Sequence, residues 1–440
     1  MILINEVQFV PQPDNCYVIV NLITGAADII DSKIYEELIL KRFNLDKDVI
    51  SRLLERRYIF SSEVEYHQFI ENINKKIEML ENNSIPNFVL VPSYTCNLCC
   101  TYCYEQTYNI YKPKYKDHLQ LIDKQFAFID NLASSYENFS EIRITIMGGE
   151  PLLSQQYNVI EYLINQAKER SFTIDVVTNG VELDSFIPLL NSSTVDHIQV
   201  TLDGIEEIHN KRRVFHNGSG SFSKIISNIK LSLQHHIHVY LRVNLDAENI
   251  ETLPLLAKLL ISLENKEYLH PYIYLLQDGG CSGDSNVIRE LSGIEQVYAL
   301  EKKYPEIGVF SKRYHPMQLV DSIFKDQKFK PCLRHCGAAG NQFILDCNGL
   351  IYKCWHGIGN EHYACGKYIP KVEWNDLMGE WANRNVLHLK KCIDCKYRYI
   401  CGTGCPASKH SGIGCFDISK ESCVEYDELI AKLVNIHLDE

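Results

Sequence analysis

Four cysteines fall within eight residues at Cys96-Asn-Leu-Cys-Cys100-Thr-Tyr-Cys103, and eleven more crowd into 332–423 of the 440-residue chain. The spacing Cys96-x3-Cys100-x2-Cys103 offers three thiolates from one loop. Three such ligands can bind three corners of a [4Fe–4S] cube and leave the fourth iron open, which is a site for chemistry rather than for stapling. A structural zinc loop with Cys99 as fourth ligand is the competing use, but the adjacent Cys99 and Cys100 side chains meet one tetrahedron with difficulty. Towards the C-terminus the pattern is Cys336-x12-Gly349-x4-Cys354, then Cys392-x2-Cys395-x5-Cys401-x3-Cys405, then Cys423, with Cys332 four residues before Cys336. Those eight thiols supply two closed four-cysteine sites, and ligand chemistry alone does not separate zinc ribbons from [4Fe–4S] clusters.

The elements that must hold these loops are legible from periodicity. Short apolar strands are expected at 89–92, 143–147, 173–177, 198–202, 239–245 and 272–276, with helical segments between them, so the middle of the chain reads as βα units around a parallel sheet. Two strands alternate: His197, Gln199, Thr201 and Asp203 share one face, and Tyr240, Arg242, Asn244 and Asp246 another. A packed eight-stranded barrel wants aliphatic residues there, so an open, incomplete (β/α)6 barrel with a polar lumen is expected. Before it, residues 6–30 read as two or three strands with a turn at Thr24-Gly25. Helices near 33–43, 46–56 and 64–81 follow, giving a small β-then-α domain over 1–82. After about 280 the strand rhythm stops, and cysteine, glycine and aromatic residues dominate up to a last amphipathic helix near 424–437. The expected division is 1–82, 88–280 and 281–440.

With the cysteine motif in place, the chain resembles radical S-adenosylmethionine (SAM) enzymes over 88–280. The resemblance implies that Cys96, Cys100 and Cys103 hold a cluster whose fourth iron is chelated by SAM, and that Tyr102 borders the adenine. Gly148-Gly149-Glu150-Pro151, Thr178-Asn179-Gly180, Thr201-Leu-Asp203-Gly204 and His209-x3-Arg213 follow in the family's order. They make Gly148, Gly149, Glu150, Asn179, Thr201 and Arg213 expected SAM contacts. On residue chemistry alone, Arg213 is as readily a solvated neighbour of Lys211 and Arg212 as a carboxylate ligand. The C-terminal spacing resembles the SPASM extension, which carries two auxiliary [4Fe–4S] clusters. Its crossed pattern puts Cys332, Cys336, Cys354 and Cys405 on one and Cys392, Cys395, Cys401 and Cys423 on the other. Three clusters and SAM are therefore implied, with an electron donor such as flavodoxin or ferredoxin. Cys16, Cys99, Cys281, Cys347, Cys365 and Cys415 are left without a role, although Cys281 is a candidate for lining a substrate channel.

Residues 1–82 resemble, more loosely, the PqqD-like winged-helix domain that binds leader peptides in maturases of ribosomally made peptides. The reading this favours is a peptide maturase. It would cleave SAM to a 5′-deoxyadenosyl radical and take a hydrogen from a precursor peptide, forming a thioether or carbon–carbon crosslink. A formylglycine-forming sulfatase maturase is the alternative. Those enzymes place an Asp after the second auxiliary cysteine, where this chain has Trp355. A binding or electron-transfer protein is the third reading, and it leaves the open cluster position unexplained. No catalytic base is named by the sequence. Lys plus Arg number 44 against 56 for Asp plus Glu, a net charge of −12, which argues against nucleic-acid or anionic-lipid surfaces. The start lacks a secretion signal, no run is long enough to span a membrane, and 17 cysteines suit metal or redox use in a reducing cytoplasm.

Overall fold

The computed structural model describes residues 1–103, 105, 118–134, 142–276, 287–408 and 417–438. The chain opens with β1 (Ile2–Leu3), followed by an antiparallel sheet of β2 (Val7–Gln12), β3 (Cys16–Asn21) and β4 (Ala27–Asp31), in the order β2-β3-β4. Asp14 and Asn15 take positive φ in the first turn, a conformation that short polar side chains tolerate. The next turn is organised by Asn21, whose Oδ1 accepts from the backbone of Ile23 and Thr24. Helices α1 (Ser32–Ile39), α2 (Lys47–Glu55) and α3 (Glu63–Asn82) follow, with β5 (Ile59–Phe60) between the last two pairing back on β1. Asp31 and Ser62 cap α1 and α3 by accepting from Ile34 and Glu65.

The six expected apolar runs form β6 (Asn87–Val91), β7 (Arg143–Ile146), β8 (Thr173–Thr178), β9 (Val195–Thr201), β10 (Val239–Leu245) and β11 (Leu269–Leu275). They lie side by side in chain order, all parallel. One face is aliphatic: Phe88, Ile144, Val176, Ile198, Leu241 and Ile273 pack against the crossover helices in the main core. The other face carries Thr145, Gln199, Thr201, Arg242, Asn244 and Tyr274, most of them half-buried. Strand alternation thus separates a helix-covered side from a polar lumen.

The sheet does not stop at the sixth strand, contrary to the expected end of strand rhythm after 280. β12 (Ser311–Lys312) adds in parallel beside β11. At the other edge, β13 (Gln342–Asp346) pairs in parallel with β6. β14 (Leu350–Tyr352), β15 (Gly366–Lys367) and β16 (Glu373–Trp374) continue antiparallel, for eleven strands in one sheet. The cysteine-rich region is therefore built onto the edge of the barrel.

The N-terminal unit is fastened to that region. Leu333, Val386 and Tyr399 share one buried cluster with Ile4, Ile19 and Phe60. Arg398 pairs with the buried Glu6 at 2.8 Å, and Glu81 accepts from the Leu333 backbone and from Arg334. Among the described residues no helix is long and apolar enough to cross a membrane.

Candidate functional site

The loop that leaves β6 runs to Cys103 across the C-terminal ends of the parallel strands. It is strapped to the segment after the Glu206–Arg212 helix: Cys99 and Thr101 donate to the carbonyls of Val214 and Arg212 at 2.7 and 3.0 Å, and His216 Nε2 donates to the Cys96 carbonyl at 3.1 Å. On its other side the loop meets the turn after β7. Gly149 and Glu150 donate to the carbonyls of Ser93 and Thr95. A Cβ on Gly148 would stand 2.3 Å from the Ser93 oxygen, and one on Gly149 2.3 Å from the Tyr94 oxygen. Backbone packs on backbone here, and only glycine fits. Cys100 is buried, and Cys96 and Cys103 are half-buried. Burial pushes the Cys96 thiol up to about 12, with the charges of Glu150, Cys100 and Cys103 adding to the shift. The Cys96 thiol therefore lies within electrostatic reach of the other two.

Glu150 is the organiser of the neighbouring turn. Its Oε1 accepts from the Leu152 backbone and from Thr178 Oγ1 at 2.8 and 2.7 Å, and its Oε2 from the Asn179 backbone at 2.6 Å. Burial raises its pKa to about 7, against those hydrogen bonds and the charge of Arg213. Asn179 Nδ2 in turn donates to Asn97 at 2.8 Å and points at Cys96 Sγ, 3.8 Å away. Across the site Tyr102 donates to Asp203, and Arg213 Nη1 donates to Tyr102 at 2.8 Å. Asn244 Nδ2 reaches Asp203 at 3.2 Å. Arg213 is 8% exposed, and its buried Nε has no hydrogen-bond partner. Arg212, by contrast, is tied to Asp246 and Glu248, and Lys211 pairs with Glu207 at the surface.

The backbone behind Arg213 is fixed by His209. The Asp203 N–H donates to His209 Nδ1, so Nε2 carries the proton and donates to Ser221 Oγ at 3.0 Å, which donates to the Arg213 carbonyl at 2.6 Å. Burial and the charge of Arg213 push His209 down to about 3. Thr201 ends β9 on the lumen face.

Two thiol groups occupy the C-terminal region. Cys336, Cys354 and Cys405 lie within electrostatic reach of one another, and Cys392, Cys395, Cys401 and Cys423 form a second set. Cys405 thus lies within electrostatic reach of Cys336 and Cys354. Cys332 faces Cys401 and the carbonyls of Tyr399 and Ile400, and Cys365 lies near Cys354. Between the sets sits Arg384, 1% exposed, donating to the carbonyls of Ile418, Lys420, Thr403 and Gly404 and feeling thiols of both.

Residues 90–260, which contain the cysteine loop, Glu150, Asn179 and Arg213, match the model of the radical SAM superfamily. This segment is a radical SAM domain. The chain is 24% identical over 362 residues to a serine-type anaerobic sulfatase-maturating enzyme of Bacteroides thetaiotaomicron, covering 74% of this chain and 84% of that one. In fold it is similar to anSMEcpe with bound AdoMet, with a TM-score of 0.57, 18% identity, and 80% and 99% of the two chains covered. It is also similar to Streptococcus suis SuiB bound to precursor peptide SuiA, with a TM-score of 0.55, 15% identity, and 92% and 95% covered.

Three features of the radical SAM domain and its extension escape sequence reasoning. Glu105 is buried two residues past Cys103, and burial together with the charge of Glu150 raises it to about 7. Arg384 gives no signal, because a lone arginine at a helix end is ordinary. Third, Asp175, Asp196 and His197 place ligand atoms within 4.8 Å of one another near the opposite ends of the strands. Arg143 donates to both carboxylates there and supplies the positive charge. Cys281 and Cys415 lie outside the described residues.

Proposed function

We propose that the chain is a radical SAM peptide maturase. Cys96, Cys100 and Cys103 would hold a [4Fe–4S] cluster, and Tyr102, Gly148, Gly149, Glu150, Asn179, Thr201 and Arg213 would enclose SAM. The fit rests on the donor set: three thiols of one loop near a buried guanidinium whose Nε lacks a partner, where a SAM carboxylate would supply the missing acceptor. Bound together, cluster and SAM supply a 5′-deoxyadenosyl radical able to take hydrogen from an unactivated carbon. Glu150 orders the turn that carries Asn179, His209 fixes the backbone of Arg213, and Glu105 and Glu150 are carboxyls that hold or release a proton near neutrality.

The C-terminal extension reads as a SPASM domain with two auxiliary clusters, one drawing on Cys336, Cys354 and Cys405 and the other on Cys392, Cys395, Cys401 and Cys423; Cys332, expected as the fourth ligand of the first, lies instead beside Cys401 of the second set. Cys405 beside Cys336 and Cys354 is what the crossed pattern requires. An electron donor such as flavodoxin or ferredoxin and a cytoplasmic setting complete the reading.

The observation that favours a leader-guided maturase is the groove along β4. It has a volume of about 470 Å³ and is lined by Val18, Ile29, Ile34, Val49, Phe324 and Leu438. Beside it β4 is, among the described residues, an unpaired sheet edge, to which an extended leader can add as a strand. On this reading 1–82 is a PqqD-like recognition domain. A fifth of the chain lies outside its likeness to anSMEcpe, against less than a tenth for SuiB. Formylglycine formation is the second reading, favoured by the sulfatase-maturating relative and opposed by Trp355.

The test is anaerobic incubation of reconstituted protein with SAM, reductant and any short cysteine- or aromatic-rich peptide encoded beside its gene, followed by mass spectrometry. Loss of two hydrogens without reactivity towards an aldehyde-directed hydrazine supports a crosslink. An aldehyde product supports formylglycine formation, and an unmodified peptide contradicts both.

A further inference from the structure

We propose that Arg242 and Arg313 form a carboxylate-binding subsite in the barrel lumen, so that the peptide substrate carries an acidic side chain or a free C-terminus next to the residue being modified. The inference rests on the peptide reading above and specifies what that peptide bears.

Arg242 points from β10 into the lumen, and its guanidinium carbon sits 4.5 Å from the ring centre of Tyr274. Arg313, just past β12, stands 3.9 Å from the ring centre of Tyr272. Tyr272 and Tyr274 lie two residues apart on one face of β11, so the two guanidinium groups stack on neighbouring rings of one wall. The platform is rigid, because Tyr272 donates to Gln199 at 2.7 Å and Arg242 Nε donates to Asn244 Oδ1 at 2.8 Å. Neither arginine has a carboxylate within ion-pair reach among the described residues. Glu290 lies within electrostatic reach of Tyr274. Both Glu290 oxygens are already engaged by His315 at 3.0 Å. Two like charges held against aromatic faces, Arg242 half-buried and Arg313 exposed, meet no carboxylate among the described residues, and their planar forks favour a carboxylate ligand.

The location gives the subsite its meaning. One step further along β10 on the same face, Asn244 reaches Asp203 and the Tyr102 hydroxyl of the SAM side. In the other direction Tyr274 senses Cys405, and His356, two residues past Cys354, senses Arg242. The arginines therefore stand between the open cysteine loop and the auxiliary thiols. A substrate residue anchored there by a carboxylate would present its neighbour to the SAM side.

The test uses three peptides with the full-length, iron-loaded protein: N-acetyl-Gly-Tyr-Glu-Tyr-Gly-amide, its Gln counterpart as the amide, and the Gln peptide with a free C-terminal carboxylate. Calorimetry or saturation-transfer NMR should show the Glu peptide, the free-acid peptide or both binding about tenfold more tightly than the neutral one. The arm that binds names the source of the carboxylate. Arg242→Gln combined with Arg313→Gln should abolish the preference while the melting temperature and iron content hold. If that variant fails to fold, the wild-type preference should still shrink as salt rises. Equal binding of all three peptides, or a preference indifferent to salt, overturns the subsite. It leaves the peptide reading to be judged by the precursor's own mass change.

Discussion

Arg213 and Arg212 are neighbours with opposite fates, and the difference decides where an anionic ligand can go. Arg212 is neutralised by Asp246 and Glu248, whereas Arg213 spends one nitrogen on Tyr102 and leaves Nε buried without a partner. Arg213→Gln should weaken SAM binding by about ten- to a hundredfold, the usual worth of charge-assisted hydrogen bonds, measured by equilibrium dialysis. His209 gives a pH signature. It stays neutral in the fold down to about 3, whereas an unfolded histidine takes up a proton near 6.5. Its contribution to stability is therefore present above that value and is lost as pH falls towards 3. Glu150, raised to about 7, has the opposite sign: its protonation stabilises the fold below about 4.5 and that stability is lost as pH rises through 7. Lowering the pH from 6.5 to 5 should thus reduce the melting temperature of wild type more than that of His209→Gln. Equal slopes in thermal melts would contradict the buried neutral tautomer. The cysteine spacings made the thiols legible from sequence alone. On residue chemistry alone the choice between Arg212 and Arg213 was not legible, because it depends on Asp246 and Glu248, supplied by a distant strand end; only the family resemblance pointed to Arg213.

At the level of elements, the cluster loop depends on two backbones touching. Gly149→Ala would push a methyl group to within 2.6 Å of the Tyr94 and Thr95 carbonyls. It should cost about 1–3 kcal/mol, read from thermal or denaturant unfolding, and loosen SAM binding as the loop shifts. The strands β6 to β11 were readable because each is a local run of apolar residues. The alternation at β10 went further and placed Arg242 and Asn244 on a polar face. β13 was not readable. Its five residues gain their strand partner from β6, 255 positions earlier, and nothing local marks that pairing.

On the scale of the whole molecule, the N-terminal unit and the cysteine-rich extension are bound to each other as well as to the barrel. Removing 1–82 would bare Leu333, Val386 and Tyr399 and leave Arg398 without Glu6, so the leader groove is better tested by one surface change. Ile29 on β4 is 69% exposed. Ile29→Asp should leave stability within about 0.5 kcal/mol yet weaken calorimetric binding of the leader by about tenfold through lost apolar contact. The same scale holds the central claim, that three thiols from one loop make the chain a SAM-cleaving enzyme while the C-terminal thiols bind iron separately. The direct measurement is 5′-deoxyadenosine produced under anaerobic reduction by the wild type and by Cys96→Ala/Cys100→Ala/Cys103→Ala, with iron counted in both. The account predicts steady production by the wild type, none by the variant, and loss of only part of the variant's iron. Continued production by the variant would contradict it.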